Sequence, residues 1–238
     1  MKIALLGYGK MGKTIEEIAL ERGHMITLKV DEDIESYDLT NLDADVAIDF
    51  SVPEAAFKNI TTCFELGIPV VSGTTGWLDH YDKAVEVCEK HDAAFLYASN
   101  FSIGVNLFFE LNEKLAEMMK NLEEYSVEVE EIHHAQKLDS PSGTAISLAQ
   151  QIIANNPNKI SWQLDHAEND EIPIYAKREA DVPGTHTVSY RSEIDSIEIK
   201  HTAHSRQGFA KGAVIAAEWL KGKEGIYRMQ DVLAEILK

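Results

Sequence analysis

The chain has 238 residues, 45% of them apolar, a formal net charge of −18 and two cysteines. That length gives one or two domains with enough apolar material for a core. The charge argues against a general binder of nucleic acid or anionic membrane, both of which need a cationic field, and two cysteines cannot build a disulfide framework. No apolar run approaches the ~18–20 residues that span a bilayer, and the first residues read as a strand rather than a signal peptide, so a cytoplasmic location is expected.

In chain order, Lys2–Leu6 reads as a buried strand and Met11–Arg22 as a helix with Ile15, Ile18 and Ala19 on one face. Met25–Val30 and Val46–Phe50 are strands. Pro53–Leu66 is a helix, opened by Ser51-Val52-Pro53-Glu54 with the S-x-x-E spacing of a capping box. Val70–Ser72 is a strand, Leu78–His91 a helix and Ala93–Tyr97 a strand. This alternation predicts a Rossmann-like, doubly wound α/β domain on a parallel sheet. Cys63 and Cys88 fall inside the predicted helices and read as small buried apolar residues.

The pattern changes after Phe101. Val105–Met119 is helical, and Tyr125–Ile132 is a strand in which Val127 and Val129 alternate with Glu128 and Glu130. A helix follows from Gly143 to Ala154, and the polar stretch Asn155–Glu171 reads as a long loop. Ile172–Arg178, Thr185–Arg191 and Ser196–Thr202 are strand-like, which predicts an α+β domain on an open mixed sheet. Helices return from Gly208 and end with Met229–Leu237. With a polar elbow at Ser205-Arg206-Gln207, these helices are expected to rejoin the first domain. Residues 1–101 with 207–238 then form a dinucleotide-binding domain, 102–206 an inserted domain, and the hinges lie near 99–101 and 205–207.

Gly7-Tyr8-Gly9-Lys10-Met11-Gly12 fits G-x-G-x-x-G and stands between the first strand and the first helix, the context that gives the pattern weight. Gly7 makes the tight turn, Gly9 lets a pyrophosphate approach the backbone and Gly12 lets helix pack on strand. The helix N-terminus adds free N–H groups and a positive dipole end. Asp31 ends the second strand at about the distance, roughly 20 residues on, where a carboxylate accepts ribose hydroxyls. It repels a 2′-phosphate and favours NADH over NADPH, while Lys29 close by keeps both cofactors open. Gly73, Thr74 and Thr75 follow the fourth strand, and Ala98, Ser99, Asn100 and Phe101 follow the fifth, where doubly wound sheets bind their ligands.

Residues 131–145 read Glu-Ile-His-His-Ala-Gln-Lys-Leu-Asp-Ser-Pro-Ser-Gly-Thr-Ala. In so acidic a chain, His133, His134 and Lys137 are a rare cluster of proton donors. Neighbours on a regular strand point to opposite faces, so for both imidazoles to share a cleft the strand must bulge or end near Glu130-Glu131. A metal site is not expected, because no third His, Cys or Asp follows at ligand spacing. Ser142 is a good N-cap, and Gly143 and Thr144 put bare N–H groups at a helix start, an arrangement that holds a carboxylate or phosphate.

The run Glu131-Ile132-His133-His134, Lys137, Asp139-Ser140-Pro141-Ser142-Gly143-Thr144-Ala145 resembles the signature of the dihydrodipicolinate reductase family. Gly73-Thr74-Thr75, Ala98-Ser99-Asn100-Phe101-Ser102, Val182–Thr187 and Gly208–Ala213 agree with it, so the likeness covers nearly the whole chain. The resemblance implies NADH- or NADPH-dependent reduction of a small cyclic dicarboxylate, 4-hydroxy-tetrahydrodipicolinate, in the diaminopimelate route to lysine, with hydride delivered to its C4. It implies His133 as general acid and Lys137 as a second proton donor. His134, Gly143 and Thr144 would hold the substrate carboxylates. Gly7, Tyr8, Gly9, Lys10, Met11, Gly12, Gly73–Thr75 and Ala98–Phe101 would line the cofactor. It further implies that the second domain binds substrate and assembles a homotetramer through its sheet. The chain departs from many members at Ser140, where they carry Ala, and at Asp31, which lacks a neighbouring arginine.

Overall fold

The computed structural model describes residues 1–39, 42–205 and 207–238, in two compact units, Met1–Ile103 with Gln207–Lys238, and Gly104–Arg206. Arg206 lies outside the described residues, so the elbow expected at 205–207 is seen only through its flanks.

The first unit is built on a six-stranded, wholly parallel sheet: β1 (Lys2–Leu6), β2 (Met25–Val30), β3 (Val46–Asp49), β4 (Val70–Ser72), β5 (Ala94–Tyr97) and, after the second unit, a three-residue strand at Gly225–Tyr227. The strand order is Gly225–Tyr227, β5, β4, β3, β1, β2. β3 and β4 are buried at every residue, as strands covered on both faces must be, and each is apolar up to its last residue, Asp49 and Ser72. The helices α1 (Lys10–Glu21), α2 (Pro53–Glu65) and α3 (Tyr81–Lys90) connect these strands. Cys63 and Cys88 are buried, and burial pushes both thiols up to about 12.

Two local expectations fail here. The capping box at Ser51 does not form: the N-cap of α2 is Val52, with Pro53 at its first position, and the Ser51 hydroxyl turns back to donate to Asp49 at 2.7 Å. A buried carboxylate has the stronger claim on the hydroxyl than a helix end that solvent serves. The strand at Gly225–Tyr227 was not foreseen; three half-buried residues carry too little alternation to be read.

In the second unit, α4 (Ile103–Met119) precedes β6 (Ser126–His133), α5 (Gly143–Asn155), β7 (Ser161–Leu164), β8 (Glu171–Arg178), β9 (Gly184–Arg191) and β10 (Ser196–Ala203). The mixed sheet has the order β10-β9-β6-β8-β7, with β6 antiparallel to β9 and parallel to β8. Val129, Ile172, Ile174 and Val188 pack with Leu148 and Ile152 of α5 in its core. β7 interrupts the polar stretch expected to be a loop; it is a short, half-exposed strand pairing only with β8, so its composition is that of an edge. The chain after β10 continues as α6 (Gln207–Leu220) and a last helix, α7 (Met229–Ile236), and the alanine face of α6 enters the core of the first unit. Among the described residues no helix is long and apolar enough to cross a membrane.

Candidate functional site

Two places carry the sequence-predicted residues, one in each unit. In the first, the strand order reverses at β1, and a cavity of about 570 Å³ opens beyond the ends of β1, β2 and β3. Gly7, Tyr8, Gly9 and Asp31 line it, with Phe50 to Asn59 closing the other side. Doubly wound sheets bind ligands at such a reversal.

The glycines answer to different constraints. Gly7 has φ +90°, and an added Cβ would stand 2.2 Å from the Phe50 carbonyl oxygen. At Gly12 a Cβ would meet the Gly7 carbonyl oxygen at 2.2 Å, and at Gly73 the Phe50 ring at 2.3 Å. Gly9 is exposed and has nothing within 4 Å of that point, so its backbone is open to a ligand at the N-terminus of α1. The backbone fits a pyrophosphate: bare N–H groups, a dipole end and no side chain in the way.

Tyr8 and Lys10 border the same turn, and Met11 is half-buried. The Tyr8 hydroxyl donates to Glu16, and Lys29 spends its ammonium on Glu16 at 2.6 Å and Tyr8 at 3.2 Å. Asp31 stands on the cavity wall with Glu32 and Asp33, and the cation beside them, Lys58, is held by Asp33 at 3.1 Å and Glu35 at 2.9 Å.

Thr74 is placed differently from its neighbours. It is buried, and its hydroxyl donates to Asp49 at 2.8 Å while accepting from the Ser51 amide at 2.9 Å. Ser72 also donates to Asp49, at 2.9 Å. Burial pushes the Asp49 carboxyl up, and hydrogen bonds from Ser51, Thr74, Ser72 and Asn59 work against that rise. Thr75 beyond it is exposed and Gly73 half-buried. Of the segment after β5, Ala98, Ser99 and Asn100 reach the surface to differing extents, whereas Phe101 is buried beneath α6, where Gly212 leaves room for its carbonyl.

The second place lies at the end of β6. Of the bulge or strand end expected, the structure shows the end: the pairing of β6 runs without a register shift through Ile132 against β9 and through His133 against β8, and the strand stops at His133, later than Glu130-Glu131. Alternation also persists, with Val127, Val129, Glu131 and His133 all buried. His134 is the first residue beyond the strand, so strand alternation does not fix its direction. His134 is half-buried and lines a separate hollow of about 410 Å³ with Ala135, Gln136 and residues 180–183.

What His133 joins is a group that the sequence did not announce. Glu131, wholly buried, pairs across the sheet with His186 of β9. Its two oxygens each accept from the Ser142 amide at 3.1 Å, and Arg178 stands 3.5 Å from Oε1. Glu131 Oε2 lies 3.4 Å from His133 Nδ1 and 3.6 Å from His186 Nε2, and the two rings meet edge to face at 5.0 Å. Burial alone would push the Glu131 carboxyl up. Its bonds with His186 and Ser142 and the attraction of His133 prevail and hold it down at about 2. His133 is pushed down to about 4, first by burial, with Glu131 working the other way and His186, Lys137 and Arg178 adding to the fall. The third imidazole, whose absence at ligand spacing argued against a metal, arrives from another strand: Glu131, His133 and His186 hold their ligand atoms within 4.8 Å of one another.

The start of α5 sits on this group. Ser142 is its N-cap, its hydroxyl accepting from the Ala145 amide at 3.2 Å and sharing a hydrogen bond with His186 Nε2 at 3.1 Å. Gly143 is exposed and Thr144 half-buried, and as first-turn residues they have no intrahelical acceptor for their N–H groups. Lys137 lies on the turn between His134 and α5, with its ammonium on both Asp139 oxygens, at 2.8 and 2.7 Å. The sequence could have flagged Glu131 as a carboxylate on the inward phase of Val127 and Val129; His186 stood only inside the matching segment Val182–Thr187 with no role attached, and Asp49 had no signal.

Comparison with known proteins agrees with both units. The family described as dihydrodipicolinate reductase, N-terminus, matches residues 1–101, and dihydrodipicolinate reductase, C-terminus, matches residues 104–233. A 4-hydroxy-tetrahydrodipicolinate reductase of Christiangramia forsetii is 69% identical over all 238 residues, covering the whole of both chains. One from Methanosarcina acetivorans is 37% identical, over 97% of this chain and 88% of its own. Among solved structures, the dipicolinate-bound dihydrodipicolinate reductase from Paenisporosarcina sp. TG-14 is similar in fold, with a TM-score of 0.76 at 23% identity over 96% of this chain and 97% of that one.

Proposed function

Since the chain belongs to the dihydrodipicolinate reductase family, we propose that it reduces 4-hydroxy-tetrahydrodipicolinate to tetrahydrodipicolinate with NADH or NADPH, in the diaminopimelate route to lysine. The observation that carries the mechanism is the bare N-terminus of α5 beside a buried imidazole and carboxylate. Once the 4-hydroxyl has left as water and the ring is a conjugated imine, a reduced nicotinamide, when bound, would supply the hydride for C4; the chain's own residues hold the substrate and give the proton that the electron-rich ring then takes up.

The two substrate carboxylates are received without a buried counter-charge. The Gly143 and Thr144 N–H groups and the positive end of α5 take one, and His134, just beyond the strand end, serves the dianion. Lys137 adds positive charge once a substrate carboxylate competes with Asp139 for its ammonium. His133 is neutral in the free chain near pH 7, being held at about 4. A docking dianion, together with the fixed Glu131 anion 3.4 Å away, favours its imidazolium and so loads the proton that quenches the reduced ring. Substrate binding and proton loading are then one event.

Asp31, Glu32 and Asp33 on the cavity wall disfavour a 2′-phosphate, and the two lysines nearest them are already paired, which supports NADH as the preferred cofactor. The family's homotetramer, assembled through the mixed sheet, and a cytoplasmic location complete the proposal; light scattering on the purified chain tests the assembly. The activity itself is tested by following the absorbance of NADH and of NADPH with freshly generated 4-hydroxy-tetrahydrodipicolinate. Oxidation of both, faster with NADH at low concentration, is expected; oxidation of neither defeats the proposal.

A further inference from the structure

If His133 is the proton donor, whatever occupies its second nitrogen governs the reaction. We infer that Glu131, His133 and His186 form a site for a borderline divalent cation, Zn²⁺ foremost, and that filling it withdraws His133 from proton transfer. The binding half of this inference stands on geometry alone; the inhibitory half rests on the function proposed above.

Two of the three donor pairs already stand at metal spacing, and all three donor atoms lie within 4.8 Å of one another. Two ligands ~2.1 Å from a tetrahedral zinc ion lie about 3.4 Å apart. Glu131 Oε2 is 3.4 Å from His133 Nδ1 and 3.6 Å from His186 Nε2, and all three residues are buried. A second, independent observation is the state of His133 Nδ1. It is buried and, among the described residues, has no hydrogen-bond partner, although a carboxylate oxygen lies within reach, so its geometry leaves a polar atom unsatisfied. Buried nitrogens are rarely left so, and a shared cation between the donors resolves it.

The surroundings permit the ion. Two imidazoles and a carboxylate suit zinc, and three protein ligands leave a fourth position open. The nearest cation, Arg178, faces Oε1 at 3.5 Å, not the Oε2 on which the imidazoles converge, and Lys137 is neutralised by Asp139. Ser142 fixes the carboxylate through its amide, and only its hydroxyl must yield His186 Nε2.

The chemical consequence is direct. To donate a proton and recover it, His133 must alternate between imidazole and imidazolium. A metal on Nδ1 takes the lone pair that protonation requires, so no imidazolium forms, and surrender of the remaining Nε2 proton would leave an imidazolate. Zinc at this place therefore opposes turnover without touching the cofactor site in the other unit.

The test uses the metal-stripped full chain, with free Zn²⁺ set by a metal buffer because the substrate itself chelates. Equilibrium dialysis with metal analysis should give one Zn²⁺ per chain, and Co²⁺ in its place should show the intense visible bands of four-coordination. His186→Gln should weaken zinc binding at least ~10-fold, the scale on which even outer partners of metal ligands act. His133→Gln, read by binding alone, should do the same if His186→Gln fails to fold. Cofactor oxidation by the wild-type chain should fall at zinc saturation and return on adding a chelator. Zinc that binds both variants as tightly as wild type overturns the site, and wild-type turnover at zinc saturation overturns the inhibition. A chain that binds zinc as described yet oxidises neither cofactor refutes the proposed function and leaves the site standing.

Discussion

The starts of α1 and α5 are both built to receive an anion, and they are built in opposite ways. At α1 the backbone does everything: Gly7 and Gly12 exist because a Cβ at either would stand 2.2 Å from a carbonyl oxygen, and Gly9 leaves the approach open. At α5 a Cβ on Gly143 would meet nothing within 4 Å, and the end is defined by side chains from elsewhere: Ser142, Glu131, His133 and His186. The first end is fixed by local sterics and holds whatever phosphate arrives. The second depends on a buried titratable group and can couple binding to a proton. On the function proposed, the difference separates a cofactor cradle from a reacting site.

The largest expected effect lies at the titratable end. His133→Gln should lower kcat by about 10²–10⁴-fold, the usual worth of a positioned acid, with NADH affinity unchanged when read by fluorescence titration. Next, Gly7→Ala sets a Cβ against backbone at φ +90°, where strain and overpacking together cost about 2–6 kcal/mol in denaturant unfolding. Gly143→Ala should leave unfolding nearly unmoved and instead raise KM for the dicarboxylate. If the two alanine variants lose equal stability, the contrast between the ends is wrong.

Acid should act on the α5 end before the α1 end. His133 is held at about 4 against an ordinary 6.5, so the unfolded chain binds its proton first and stability falls as pH drops from 6.5 toward 4. Glu131, held at about 2 against 4.5, contributes stability above 4.5 that is lost as pH falls toward 2. Thermal unfolding monitored between pH 7 and 4 should show the first decline, and His133→Gln should flatten it. The smallest effect is expected at Asp31→Ser, which should shift the NADH-to-NADPH ratio of kcat/KM toward NADPH by about tenfold or less, since one of three neighbouring carboxylates is removed.

What the sequence revealed follows the range of the interactions concerned. The Gly7–Gly12 turn, the alternating strands and helices and the Ser142 cap are set by neighbours within a few residues, and all are readable. Glu131 was readable in phase but not in meaning, because an isolated carboxylate at an inward position looks like a broken strand. The amide of Ser142, the guanidinium of Arg178 and the rings of His133 and His186 make its burial tolerable. His186 meets Glu131 through antiparallel pairing of β6 with β9, a register that no short motif encodes. Asp49 likewise takes two of its donors, Ser72 and Thr74, from β4 and the turn after it. β7 was hidden by its edge composition.

The most direct test is a crystal structure of the chain with dipicolinate, a planar mimic of the substrate. One carboxylate should accept from the Gly143 and Thr144 amides, with His134 on the dianion and His133 within a side chain's reach of the ring. A ligand seated away from the start of α5, with those amides left to solvent, would contradict the account.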